Sequence, residues 1–144
     1  MRDFCITVDI LAPTERVWEV MADIERWHEW TPSISEVIRE DDHPLVVGSR
    51  VVIRQPGFPP ARWVVKDMVP GTRFSWVSTA PGLHVSGHHS VESTPAGSRA
   101  TLRLEIRGLF GAIWGVMTKR ITERYLGLEA NGLKARSENP SFKV

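Results

Sequence analysis

The stretch VSGHHSVES, residues 85–93, carries the side chains in this chain best suited to proton chemistry. A histidine titrates near neutrality and serves as general acid, general base or metal ligand. Parity decides what this pair can do. Val85, Gly87, His89 and Val91 share one parity, while His84, Ser86, His88, Ser90 and Glu92 share the other. On an extended strand successive side chains point to opposite faces, so His88 and His89 are poorly placed to hold one metal ion. His89 falls on the apolar parity and is expected inside, as a general base or as a hydrogen-bonded inner histidine without a reaction. His84 and His88 are expected outside. Gly87 removes a side chain next to His89 and leaves room on the same face.

Two further polar groups have inward parity or angle. Asp67 follows Trp63 and Val65 on one side of a strand, and Arg124 lies within the apolar stripe of the last helix. They are expected to pair at a rim, or Arg124 to hold a ligand carboxylate with its planar donors. No HExxH, cysteine cluster, Gly-x-Ser-x-Gly elbow, phosphate-cradling loop or dinucleotide fingerprint occurs. The expectation is therefore no metal, no cofactor and no covalent or nucleotide-dependent chemistry.

Composition narrows the class further. A chain of 144 residues, 42% hydrophobic and 24% charged, suits one globular domain, placed at 1–137 with a tail at 138–144. The net charge of +1 supplies no field for nucleic acid. Charge is still uneven, since acids dominate residues 1–48 and Lys/Arg dominate 99–136. Solvated faces of opposite sign explain this, as does an acidic partner on the basic part. Cys5 is the one cysteine, which excludes an intrachain disulfide and suits a reducing cytoplasm. The longest apolar run, GLFGAIWGVM at 108–117, is about half the roughly 20 residues needed to span a bilayer.

The elements that must position these residues follow from periodicity. Phe4, Ile6, Val8 and Ile10 alternate with polar residues and predict a strand over 3–11. APTERVWEVMAD predicts a helix with Pro13 near its first turn, and IERWHEW a second short helix stopped by Pro32. Strands are predicted near 34–40, 50–55, 61–68, 72–79, 84–93 and 98–107, with Pro70-Gly71 suited to a type II turn. From Leu109 to about Arg136 one long helix is predicted, with Phe110, Ile113, Trp114, Met117, Ile121, Tyr125 and Leu128 forming one apolar stripe laid on the sheet. Gly111, Gly115, Gly127 and Gly132 interrupt it at about 1 kcal/mol each. Close approach of helix to sheet would account for them, as would a helix that yields to admit a ligand.

The order of elements, and the segment ITVDILAPTERVWEVMADIERWHEWTPSISEV with its Ala-Pro-x-x-x-Val-Trp and Asp-x-x-x-Trp-x-x-Trp-x-Pro spacings, resembles the START-like, polyketide cyclase/dehydrase superfamily (SRPBCC). FSWV at 74–77, Gly-Ser-Arg-Ala-Thr at 97–101 and RGLFG before the last helix are similar too. The resemblance implies an α+β helix-grip fold, a curved antiparallel seven-stranded sheet wrapped around a long C-terminal helix, with two short helices after strand 1. It also implies an apolar cavity between sheet and helix. Trp27 and Trp30 would close one end of that cavity, one packing on the core and the other bordering the pocket. Trp63, Phe74, Trp76, Gly87, His89, Leu102, Leu104, Trp114, Met117, Ile121 and Arg124 complete the candidate ligand-binding set.

Large flat side chains with a few polar groups suit a small hydrophobic ligand, lipid-like, polyketide-like or otherwise cyclic. The expected function is binding of such a ligand by a cytoplasmic monomer or homodimer. The alternative is a cofactor-independent polyketide cyclase, aromatase or dehydratase with His89 as acid/base. A third, an interaction role using surface charge, would leave the pocket filled. A cavity of roughly 300 Å³ or more separates the first two from the third.

Overall fold

A computed structural model describes residues 2–41 and 44–139. All but Glu138 and Asn139 of the expected 138–144 tail lies outside the described residues. The chain opens with β1 (Arg2–Ile10), α1 (Thr14–Ala22) and one 3-10 segment (Ile24–Glu29). The strands β2 (Glu36–Arg39), β3 (Arg50–Arg54), β4 (Ala61–Val69), β5 (Arg73–Ala80), β6 (Leu83–Thr94) and β7 (Gly97–Arg107) follow. Two helices, α2 (Gly111–Met117) and α3 (Lys119–Glu138), end the described chain.

The strands form one antiparallel sheet in the order β1-β7-β6-β5-β4-β3-β2. Five neighbouring pairs are consecutive hairpins, and β1 joins the end of this run by pairing with β7 from Arg2↔Ile106 to Ile10↔Ser98. The hairpins are set by local turn chemistry. Gly71 takes φ of 82° behind Pro70, and Thr72 N–H donates to Val69 O at 2.9 Å, the geometry of a type II turn.

Alternation sorts one face of the sheet into the core. Val51, Val65, Phe74, Trp76, Val91 and Ala100 are buried together with Val17, Val20 and Met21 of α1, Ile24 and Trp27 of the 3-10 segment, and Leu133 of α3. In β4 the register shifts between Val65 and Asp67, and this bulge changes the parity expected from the sequence. Met68 takes the inward position and packs on the core, while Asp67 is exposed and pairs with Arg73 at 2.9 Å. The expected Asp67–Arg124 pair is therefore absent, and Arg124 is itself exposed.

The terminal helix is divided at Thr118, which has φ −101° and ψ 5°. Its Oγ1 donates to Trp114 O at 2.7 Å, a back-bond that bends helices. The expected apolar stripe fails over α2 for a steric reason. Gly111 and Gly115, one turn apart, are the buried residues of this helix, with their missing Cβ atoms aimed at the Ile106 backbone and the Arg2 side chain. Ile113, Val116 and Met117 consequently face outward. No helix among the described residues is long and apolar enough to cross a membrane.

Gly132 also marks a close approach, since a Cβ there would stand 2.0 Å from Trp30 O. Gly127 differs, because a Cβ there meets nothing within 4 Å. Gly132→Ala is expected to destabilise the fold by about 1–3 kcal/mol through overpacking. Gly127→Ala should stabilise it by up to about 1 kcal/mol through helix propensity. Urea unfolding of the two variants checks the contrast, and equal midpoints would remove close packing as the reason for Gly132.

Candidate functional site

Between the sheet and α3 lies a cavity of about 420 Å³. Strand alternation supplies its sheet wall, with Trp63, Trp76, Gly87, His89, Leu102, Leu104 and Ile106 brought side by side from four strands. The helix wall comes from Trp114, Thr122, Tyr125, Leu126 and Glu129. Trp27 and Ile34 close the inner end and are buried, whereas Pro59, Pro60, Thr79 and Ala80 line the cavity while remaining exposed. The mouth is thus formed by the β3–β4 loop and the β5–β6 turn, beneath Trp114. Phe58 sits there, 6.2 Å from Trp114 and 5.9 Å from Tyr125 between ring centroids, and the Tyr125 hydroxyl donates to Pro56 O.

The inner end is an aromatic cluster. The His89 imidazole stacks on Phe74 with centroids 4.5 Å apart and planes 8° from parallel. Trp27 and Trp76 stand 5.3 and 5.5 Å from the same imidazole. Trp27 Nε1 donates to Met21 O at 3.1 Å, so this indole is anchored by its polar edge while its body borders the cavity. Gly87 admits the Trp76 ring, because a Cβ there would lie 2.8 Å from Trp76 Nε1.

The candidate residues divide into two groups. Trp27, Trp63, Trp76, Gly87, His89, Leu102, Leu104 and Trp114 meet at the cavity. Trp30, Phe74, Met117, Ile121 and Arg124 lie outside its lining. Trp30 packs on Trp27 and against Gly132 of α3, and Phe74 is wholly buried behind His89. Met117 is 76% exposed, and the Ile121 side chain meets Gly57. Of the pair Trp27 and Trp30, it is Trp27 that both packs on the core and borders the pocket, the two tasks expected of separate tryptophans.

Glu129 is one of several cavity residues outside the expected set, with Gln55, Phe58, Thr122 and Tyr125. Burial raises its carboxyl to about pKa 7, with a hydrogen bond from Ser33 opposing the shift. Ser33 is itself held by Thr31, hydroxyl to hydroxyl at 2.7 Å. The available signal was helical spacing, since Glu129 follows Tyr125 by four and Thr122 by seven residues and so shares their face. His89 shifts the other way. Burial, with a smaller push from His88, lowers it to about 3 against a hydrogen bond to the Phe74 backbone, so the ring is neutral at pH 7. Its Nδ1 is buried and has no hydrogen-bond partner among the described residues.

His88 belongs to the opposite face, where Nδ1 meets Ser75 Oγ and Nε2 meets Glu105 Oε1, each at 2.8 Å. Glu105 also accepts from Arg107 at 2.7 Å. The row crosses three adjacent strands and clamps the sheet on that face. Among the described residues no group of three or more His, Cys, Asp or Glu is placed to hold a metal ion.

A seven-stranded antiparallel sheet and a C-terminal helix with an apolar cavity between them define the helix-grip architecture. The model of the family described as polyketide cyclase / dehydrase and lipid transport matches residues 1–138, and the chain belongs to that family. Among solved structures, the ZhuI aromatase/cyclase from Streptomyces sp. R1128 superposes with a TM-score of 0.78 at 20% identity, covering 99% of each chain. The di-domain aromatase/cyclase StfQ of the steffimycin biosynthetic pathway gives 0.74 at 14% identity, over 94% of this chain and 50% of that one. TTHA0849 from Thermus thermophilus gives 0.75 at 17% identity, over 98% and 100%. No curated protein matches the chain in sequence. These structural likenesses establish the shared fold.

The opposite shifts of Glu129 and His89 predict a distinctive pH profile. From pH 3 to 6.5 the unfolded state binds the His89 proton and the folded state does not, so this group makes stability rise with pH. From pH 4.5 to about 7 the folded state keeps the Glu129 proton and the unfolded state loses it, so this group makes stability fall. The two offset each other between 4.5 and 6.5. In Glu129→Gln the His89 slope should stand alone, and the variant should gain about 1–2 kcal/mol on the parent between pH 4.5 and about 7. Urea midpoints measured against pH check this, and parallel curves would mean that the Glu129 carboxyl titrates normally.

Proposed function

We propose that the chain binds a small, ring-containing, largely apolar molecule in the cavity between the sheet and α3. The observation that carries this reading is the cavity of about 420 Å³, walled by tryptophans and aliphatic side chains with few polar groups. That volume and lining match a drug-sized ligand held by shape and oriented by a few hydrogen bonds. The His89 ring would border the ligand from the sheet side, and a protonated Glu129 would donate to a ligand carbonyl from the helix side.

A second reading, a cyclase or dehydratase acting on a polyketide-type ligand, is favoured by one specific observation, the carboxyl of Glu129 at about pKa 7. Closing a ring by aldol addition requires a base to take the proton from the carbon next to one carbonyl. As the carbon–carbon bond forms, the attacked carbonyl oxygen takes up a proton and becomes a hydroxyl. Loss of that hydroxyl as water then removes a second proton from the same carbon and delivers a proton to the leaving oxygen. A group with its pKa near the working pH can take the carbon proton and return it to the oxygen in each of the two steps. His89, held neutral and reluctant to protonate, is better suited to accept a hydrogen bond than to be the acid. The finding that ZhuI and StfQ are aromatase/cyclases supports this chemistry by analogy of fold.

Native mass spectrometry should find a small molecule bound to the purified chain, and a hydroxylated polycyclic aromatic probe should quench tryptophan fluorescence. Gly87→Val should weaken probe binding about tenfold or more, since the new side chain displaces Trp76 into the cavity. Unchanged binding would remove the cavity as the site. With a linear poly-β-keto substrate, Glu129→Gln should abolish ring closure while keeping probe binding. Conversion at the parent rate would leave binding alone as the function.

A further inference from the structure

We propose that the outward face of α2, with the residues just before it, docks on an anionic lipid surface. Leu109, Phe110, Ile113, Val116 and Met117 are 83, 54, 60, 62 and 76% exposed. Soluble proteins rarely present so many large apolar side chains together without a partner. The two glycines of α2 have taken the sheet-facing side, so this exposure is built into the way the helix seats.

Charge selects the occupant. From Gly108 to Thr122 the chain has no Asp or Glu, while Arg107 precedes the patch and Lys119 and Arg120 follow it directly. Arg124 stands one turn beyond Arg120 on the same side of α3, and neither has an ion pair among the described residues. Lys119 reaches Glu123 only at 4.0 Å, and Arg107 is held by Glu105. An apolar face bordered by cations complements acyl chains beneath anionic headgroups. A second copy packed two-fold on the same face would set cation against cation. With seven residues α2 lies in such an interface and does not cross it.

The face adjoins the cavity mouth through Trp114, and Phe110 packs over Gly82 of the turn that borders the same mouth. Docking would bring that mouth to the lipid and let an apolar ligand pass between bilayer and cavity. Only this last consequence rests on the binding function proposed above.

Vesicles of phosphatidylcholine, with and without phosphatidylglycerol, test the proposal by co-sedimentation of the full chain. The chain should pellet with the phosphatidylglycerol vesicles and be released as salt is raised. Arg120→Gln and Arg124→Gln should each lower partitioning about fivefold. Ile113→Asp with Met117→Asp should abolish it while circular dichroism and probe binding stay unchanged, because both side chains point to solvent. Failure of the parent chain to pellet with either vesicle overturns the proposal. So does a dimer in sedimentation equilibrium that the Asp variant dissolves without any vesicle binding, which would assign the face to a second copy.

Discussion

The flat contact between the Phe74 ring and the His89 imidazole is where the packed interior stops and the cavity starts. Behind it, Phe74 is fully buried against Trp18 and Trp27. In front of it, the space widens between Gly87 and the helix. An imidazole can occupy this boundary only as the neutral ring, because its charged form would lose hydration without gaining a counter-ion. The polar character of the site is therefore fixed by packing. A sheet that curves around an aromatic plug leaves one acceptor nitrogen and one carboxyl as the main polar features of an otherwise greasy chamber.

The two groups are supported by different parts of the fold. His89 is placed by cross-strand register, with Phe74 opposite it on β5 and Leu102 opposite it on β7. Glu129 is placed by the seating of α3, which depends on the absence of a side chain at Gly132 and on the Arg136–Glu29 ion pair at 2.8 Å. Sheet and helix thus bring one group each, and the distance between them is governed by how closely α3 approaches the 3-10 segment. The family relationship sits comfortably with this division, since a common frame can host different ligands by changing the lining alone.

Much of this was legible in the amino-acid order. Period-two alternation located every strand within a few residues, because one face of this sheet is dry and the other wet. The same rule separated His88 from His89. It failed at Asp67, where a bulge adds a residue to one strand and reverses parity, an event that alternation itself cannot announce. Over α2 most of the apolar stripe read correctly as helical but not as buried, because spacing identifies a face without saying which face the glycines will turn toward the sheet. Glu129 escaped notice because a single carboxylate among helix formers looks like a solvated charge. Only the surrounding apolar walls give it its character, and those come from residues distant in sequence.

The bend at Thr118 separates two rods that lean mainly on different neighbours, α2 chiefly on β7 and α3 chiefly on β1 and α1. Adding or deleting one residue at that joint would rotate one rod against the other by about 100°. Strand pairing would be untouched, since no ladder crosses the joint. Related chains could therefore re-aim the outer rod, and with it whatever meets the chamber's opening, by length variation alone. Such a hinge point lets the periphery diversify while the interior keeps its shape.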